Sequence, residues 1–328
     1  MQRGAGPLLQ ELKKKGMTDM KTCIAVDIGG TKMLIAEVRE DGTIINIKRY
    51  PTGKACKEEI VRILIQGVLE YENEIGWENG SRPHQMGIGI NGLIDPVKGI
   101  WKKLEPEESE IALIERIEQE FEVECHIDND VKATVIAENK FGAGKNCRDM
   151  IYINIGTGLA AGIIANGRLI RGTDGFAGEI GYMNFTGGEG SRVELMASGM
   201  GINHQIELLI NEYPNSVFKE KTGGVVSGQE VFEAAEQGDE LANRVLNGLI
   251  KMSGLMISNL TCVLSPEIVI LGGGLITNGC LIDKIIDAVT PKAAQHLEKG
   301  IVLTGLDPAY AGLMGAAAIG LGYQREYL

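Results

Sequence analysis

Basic residues are in deficit in this chain: 32 Lys and Arg face 44 Asp and Glu, leaving a net charge of −12. A nucleic-acid surface needs a basic face, so no nucleic-acid partner is expected. No apolar run reaches the roughly 20 residues of a membrane span. The first residues also lack the apolar core of a secretory signal. No membrane partner is therefore expected, and the expected location is cytoplasmic. The six cysteines, Cys23, Cys56, Cys125, Cys147, Cys262 and Cys280, show no metal-knuckle or redox-pair spacing. Reduced, buried thiols are the expectation. What remains is ordinary globular composition, 44% hydrophobic and 23% charged over 328 residues. That length is enough for two domains.

Two stretches carry one pattern. The first runs from Cys23 through Asp27-Ile28-Gly29-Gly30-Thr31-Lys32 to Ala36, and the second from Ile151 through Asn154-Ile155-Gly156-Thr157-Gly158 to Ile164. Each reads as an apolar strand, Asp or Asn, Ile-Gly, a small polar turn, then a second apolar strand. Each second strand ends at a hairpin signal, Asp41-Gly42 or Asn166-Gly167, which favours a primed two-residue turn. A glycine-rich turn exposes backbone N–H groups to an anion such as phosphate. Two such turns in equivalent places suggest a duplicated domain that closes on a nucleotide.

The remaining chain alternates strands and helices, so the class is α/β. Residues 1–20 read as a tail or short helix. A helix is expected over Glu58–Glu74, with Ile60, Ile63, Leu64, Val68 and Tyr71 on one face. Met86–Ile90 reads as a buried strand. Ile111, Ile114, Ile117 and Phe121 mark a second amphipathic helix, and Val123–Ile127 a strand before a helix capped by Asp128-Asn129-Asp130. Further helices are expected near Glu194–Asn211, Gly228–Gln237 and Leu241–Leu264. Ser227-Gly228-Gln229-Glu230 has capping-box spacing. Strands are expected at Glu267–Leu271 and Ile301–Thr304, and a last helix from about Gly312.

Gly29, Gly30, Thr31 and Lys32 can form a phosphate clamp, with Asp27 holding Mg²⁺ through water. The alternative is a tight hairpin whose glycines serve only backbone geometry. The stretch is no Walker loop, because the spacing differs and a strand follows. Gly156, Thr157 and Gly158 carry the same pair of readings. Gly272, Gly273 and Gly274 can pass flat against an adenine or ribose, or simply enter a helix. Asp130, where a strand hands over to a helix, can accept the proton of a hydroxyl during phosphoryl transfer. Alternatively, Asn129 or Asp130 is only a helix N-cap.

In order and spacing these segments resemble the ROK family (repressors, open reading frames and sugar kinases) within the actin-like ATPase superfamily. The match runs from about Cys23 to the C-terminus. Asp27–Lys32 and Asn154–Gly158 look like its two phosphate motifs, and Ile270–Gly274 like its adenosine motif. Ile127–Ala133, with Glu138 after it, resembles the segment carrying the catalytic aspartate. The resemblance implies a base at Asp130, a sugar-binding amide at Asn129, and sugar contacts from Gly92, Glu179, Tyr182 and Glu194. It implies two actin-like (ribonuclease H-like) ATPase domains around a central cleft, with domain closure that excludes water. The expected parts are a tail at 1–21, a small domain of 22–128 plus 312–328, and a large domain of 129–311.

The departures are specific. Tyr182 stands where the family's zinc-ligating His is usual, and Phe185–Arg192 lacks the zinc cysteines, so no zinc site is expected. Asn91-Gly92 replaces Pro-Gly. Lys103–Glu108 replaces a Pro-Asn-Leu segment, and its Glu105–Glu108 acids suit either a cationic amino sugar or a solvated loop. The implied activity is ATP- and Mg²⁺-dependent phosphorylation of a hexose or amino-sugar hydroxyl, most simply the 6-OH of glucose. N-acetylmannosamine, N-acetylglucosamine, glucosamine and fructose are alternative substrates. The partners implied are sugar and ATP, and a homodimer is expected. The rival classes are a transcriptional regulator and a sugar sensor without turnover. About twenty residues precede the first strand, too few for a helix-turn-helix module.

Overall fold

The computed structural model describes residues 20–53, 55–103, 108–185, 192–221, 224–277 and 279–327. The N-terminal stretch read as a tail or short helix lies outside them, as do Glu105–Glu107 and most of the Phe185–Arg192 loop. The described residues form two compact units, one of 20–134 with 312–325, the other of 135–311 with 326–327. Among them no helix is long and apolar enough to cross a membrane.

In the first unit, β1 (Thr22–Ile28), β2 (Lys32–Arg39) and β3 (Ile44–Pro51) form an antiparallel meander. β4 (Gln85–Ile90) and β8 (Glu124–Asn129) then add in parallel, giving the order β3-β2-β1-β4-β8. The central strands are buried on both faces, which is why Cys23–Val26 and Met86–Ile90 read as unbroken apolar runs. Helix α1 (Lys57–Glu74) lays Val61, Leu64, Val68 and Tyr71 into this core, while Ile60 and Ile63 pack only partly buried against it. Burying each such side chain is worth roughly 1.5–3 kcal/mol. The Tyr71 hydroxyl keeps its polar end satisfied, donating to the Asn46 carbonyl at 3.1 Å.

The helix expected from Ile111 begins later, at Leu113. Ile111–Ala112 forms β7 beside β6 (Ile100–Trp101), which pairs in turn with β5 (Ile94–Asp95) in a separate small sheet. The Gly99 carbonyl accepts the Leu113 N–H at 2.9 Å and so sets the start of α2 (Leu113–Phe121). Helix α3 (Asp130–Lys140) leaves β8 without a connecting loop. The last helix, Ala311–Gly320, packs on β4 backbone to backbone: a Cβ on Gly87 would lie 2.0 Å from the Ala316 carbonyl oxygen. Only glycine fits there.

The second unit repeats this plan. β9 (Met150–Ile155), β10 (Leu159–Ala165) and β11 (Arg168–Leu169) form the meander, and β12 (Ile268–Gly272) and β13 (Ile301–Leu303) add in parallel. The order β11-β10-β9-β12-β13 matches that of the first sheet strand for strand. Asn166 and Gly167 have φ of 52° and 72°, the left-handed pair that a type I′ turn requires. The helix expected over Glu194–Asn211 is shorter. Residues Val193–Leu195 form one 3₁₀ turn, and α4 (Gly199–Leu209) starts where the Ser198 hydroxyl caps the Gly201 N–H at 3.0 Å. Helix α5 (Gly228–Glu236) has its capping box, and α6 (Glu240–Leu264) is capped by Asp239. None of the six cysteines is in a disulfide, and only Cys23, Cys125 and Cys147 are buried. Cys56, Cys262 and Cys280 are exposed, against expectation: on α1's first residue side, on α6's outer face and in a loop, none faces a core.

Candidate active site

At the end of β1 the Gly29 N–H bonds the Lys32 carbonyl at 2.9 Å, closing the first glycine turn. Thr52 braces it from β3's end, its hydroxyl donating to the Gly29 carbonyl at 3.1 Å and its N–H to the Thr31 carbonyl at 3.2 Å. Neither Gly29 nor Gly30 has left-handed φ, so turn geometry does not explain the pair. A Cβ on Gly30 would meet nothing within 4 Å. The backbone there is open to an approaching ligand. Asp27 is half-buried, and a Cβ on Gly312 would lie 2.8 Å from its carboxylate, so that glycine makes room for the acid.

At the neighbouring strand ends, Asn129 is the cap of α3. Its Oδ1 accepts the N–H groups of Val131 and Lys132, both at 3.1 Å, and its Nδ2 donates to the Gly92 carbonyl at 3.2 Å. Capping thus falls to Asn129, and Asp130 is the first residue of the helix, with Oδ1 accepting the Val131 N–H at 2.9 Å. Burial pushes the Asp27 carboxyl up to about 7, the Asp130 charge adds to the rise, and Lys32 opposes it. Burial also raises Asp130, with Asp128 adding, while the Val131 N–H and Lys132 work against it. Asp27, Asn129, Asp130 and Gly92 therefore gather at one end of the first sheet. Trp101 borders them, its Nε1 3.3 Å from where a Gly92 Cβ would be.

In the second unit the Gly156 N–H bonds the Gly158 carbonyl at 3.0 Å. The start of α4 is stitched onto this turn by Gly199 N–H to Gly156 carbonyl at 2.8 Å and Met200 N–H to Thr157 carbonyl at 3.0 Å. The third glycine element follows β12. Gly273 has φ of 93° and presses on Ile155, whereas a Cβ on Gly274 would meet open space. These pieces line a cavity of about 720 Å³ with Asn203, Val226 and Ser227 on its far wall. That size lies inside the roughly 300–1,000 Å³ range of small-molecule pockets. Asn203 holds the wall in place, donating to the Val226 carbonyl at 2.9 Å and accepting its N–H at 2.8 Å. Sequence reading missed this wall, because the Asn203–Val226 pair joins a helix to a loop with no local pattern.

Gly178–Gly181 wraps the start of β10. A Cβ on Gly178 would lie 2.1 Å from the Ala161 carbonyl oxygen, and one on Gly181 would lie 2.7 Å from that of Leu159. Glu179 stands within this wrap, before a 3₁₀ turn over Ile180–Tyr182. Tyr182 is half-exposed, tilted against Phe176 at 5.6 Å, with the Arg192 guanidinium 5.2 Å from its ring centre. Glu194 reaches back to β10, where its Oε1 accepts the Leu159 N–H at 3.1 Å. Among the described residues no cluster of three or more metal-ligating side chains occurs. Of the acids at Glu105–Glu108, only Glu108 is described, and its carboxylate pairs with Lys57 at 2.7 Å.

Residues 23–322 match the sequence pattern of the ROK family. The chain belongs to the ROK family. This ROK chain is similar to a glucokinase of Thermotoga maritima, 28% identical over 314 residues that span 90% of this chain and 96% of that one. It is also similar in structure to a ROK family glucokinase from Streptomyces griseus in complex with glucose and AMPPNP, at a TM-score of 0.73 and 27% identity, covering 92% and 99% of the two chains. A ROK family transcriptional regulator, a homologue of the E. coli MLC protein, shares the fold at a TM-score of 0.77 and 22% identity, covering 97% of this chain and 84% of that one. The fold of this ROK protein is thus the actin-like, ribonuclease H-like ATPase fold, and the family pattern alone spans both kinases and regulators.

Proposed function

We propose that this ROK protein is an ATP-dependent sugar kinase, with glucose 6-OH as the simplest substrate. The observation that carries this reading is the division of labour at the end of β8. Asn129 caps α3 through the Val131 and Lys132 N–H groups, so the Asp130 carboxyl, raised by burial, commits only Oδ1 to the Val131 N–H and keeps Oδ2 for chemistry. An ordinary Asp is a weak base, and a raised one is better matched to accepting a hydroxyl proton near neutral pH. Asp130 orients the hydroxyl and takes its proton as its oxygen bonds to the γ-phosphorus. Asn129, Gly92, Glu179, Tyr182 and Glu194 hold the other hydroxyls. The turns closed by the Gly29 and Gly156 N–H groups present the N–H groups of Gly30, Thr31, Thr157 and Gly158 to phosphates, and Lys32 adds charge. Gly272, Gly273 and Gly274 border the adenosine.

Mg²⁺ is the metal that this fold family implies, and the residues fit it. Mg²⁺ commonly takes one or two carboxylates and completes its shell with water and phosphate oxygens. The Asp130 charge raises the proton affinity of Asp27, a repulsion that a cation at Asp27 relieves. When bound, Mg²⁺ neutralises phosphate charge. The salt bridge from Glu108 to Lys57 neutralises the one described acid of the 105–108 cluster, which favours neutral hexoses over a cationic amino sugar.

A coupled ADP-release assay tests the reading across glucose, N-acetylglucosamine, N-acetylmannosamine, glucosamine and fructose. Sugar-dependent ADP release is expected with one or more of them. Sugar binding without turnover would replace the kinase with a sensor, and specific DNA binding without turnover would replace it with a regulator.

A further inference from the structure

The sugar-binding role proposed for Glu194 leaves one of its contacts unexplained. Its Oε1 accepts the backbone N–H of Leu159, the residue immediately after the Gly156–Gly158 turn. The fit is close: a Cβ on Gly158 would lie 2.9 Å from Oε1, and one on Gly181 3.3 Å from it. Only glycine on both sides lets the carboxylate reach β10. The carboxylate's other oxygen, Oε2, has no hydrogen-bond partner among the described residues.

The same stretch is tied a second time. The Ser198 hydroxyl donates to the Glu194 carbonyl at 2.7 Å and accepts the Gly201 N–H at 3.0 Å. That places the Glu194 backbone at the start of α4, whose first two N–H groups bond the Gly156 and Thr157 carbonyls. Glu194 thus grips the turn from both flanks, through its side chain on Leu159 and through Ser198 on α4.

We propose that Glu194 is a positioning residue for the nucleotide as well as a sugar ligand: Oε1 sets the Gly156–Gly158 turn while Oε2 receives a sugar hydroxyl. The proposal rests on the kinase reading. One carboxylate then reports sugar occupancy to the phosphate-binding turn. Because binding linkage is reciprocal, nucleotide occupancy tightens sugar binding by the same factor.

Binding of AMPPNP with Mg²⁺, measured by calorimetry without sugar, separates the two roles. Glu194→Ala removes the acceptor for Leu159 and is expected to weaken AMPPNP about tenfold, the loss of one charge-assisted hydrogen bond. Glu194→Gln keeps an oxygen acceptor and is expected to bind AMPPNP within about twofold of the parent chain, while its KM for the best sugar of the panel rises at least about tenfold. Glu194→Asp keeps the charge but shortens the reach, so it is expected to bind AMPPNP more weakly than the Gln variant. If the Ala variant does not fold, the order of Gln and Asp decides. AMPPNP affinity unchanged in Glu194→Ala, or lower in Gln than in Asp, overturns the proposal. A parent chain that binds no AMPPNP overturns the kinase reading itself, a different result from any of these.

Discussion

The two glycine turns share a sequence pattern and a sheet topology, yet they are held by different means. The first is braced from its own meander by Thr52 and carries a half-buried acid, Asp27. The second is braced from outside the sheet by Glu194 and the start of α4, and carries the neutral Asn154 in the equivalent place. In register the positions correspond: Asp27 pairs across to Gly89 of β4, and Asn154 to Gly272 of β12. A duplicated frame has therefore kept its backbone amides at both turns and a strand-end acid at only one. The turn that follows the neutral Asn154 suits a ligand that brings its own negative charge, and the turn that follows Asp27 suits a cation or a proton.

The most severe break in that asymmetry is Asp130→Ala, which leaves Asp27 without its partner acid. Sugar phosphorylation is expected to fall by about 10²–10⁴-fold, the usual contribution of a general base, with AMPPNP binding retained. Near-parental turnover in the ADP-release assay would remove Asp130 from the chemistry. Next in size is Asp27→Asn, which makes the first turn resemble the second. Turnover is expected to drop by about 10²-fold or more, with the Mg²⁺ concentration for half-activity raised. The reverse exchange, Asn154→Asp, is expected to weaken AMPPNP, because it sets a carboxylate against phosphate. Equal effects on turnover from the two exchanges would erase the functional difference between the turns.

The pH profile sharpens the same comparison. Asp27 is raised to about 7, so turnover should fall as pH drops through 7 and its carboxylate is protonated. For stability the sign is opposite. A carboxyl raised above its unfolded value favours the fold at low pH, and that contribution is lost as pH rises from about 4 to about 7. Asp27→Asn is therefore expected to raise the urea midpoint at pH 8, with the gain shrinking toward pH 4. A gain that is constant with pH would show that Asp27 is not the group titrating. The smallest expected effect is that of Gly30→Ala. A Cβ there meets nothing, so Tm should move by about 1 °C or less, while AMPPNP affinity falls if a phosphate occupies that space. Unchanged AMPPNP affinity would leave the first turn as a plain hairpin.

The paired strands, the triple glycine and the Asn129–Asp130 junction were legible in the residues, because each is a local pattern of strand, turn and cap; the primed turn expected at Asp41-Gly42 is not formed, since only Gly42 has a left-handed φ, of 87°, and the β2–β3 ladder bulges at Glu37 and Val38. The choice between cap and base was not legible, since both side chains reach the Val131 N–H and only Asn129 also reaches that of Lys132. The three two-residue strands β5–β7 escaped notice because they are too short for any periodicity. The Ile111 position was absorbed into a helix for the same reason. The grip of Glu194 on Leu159, the Asn203 wall and the Lys57–Glu108 pair join residues far apart in the chain. Such pairings leave no spacing to read. The likeness to ROK sequences recovered the fold and the order of motifs, while Tyr182 and the altered segments around it mark where family pattern ceases to specify the ligand.

The fit of Gly87 beneath Ala316 bears on how the chain is made. The first unit is discontinuous, and the helix that covers β4 is synthesised only after the intervening unit. On the ribosome, residues 22–134 emerge with one face of their central strand still bare, and the intervening unit, which is continuous, can form first. Domains folding in order of emergence is the general tendency; here residues 22–134, made before the intervening unit, are the part that must wait. The emergence of residues 312–325, and not the passage of the first strands, then becomes the moment at which Asp27 acquires Gly312 beside it and the first glycine turn its finished surroundings.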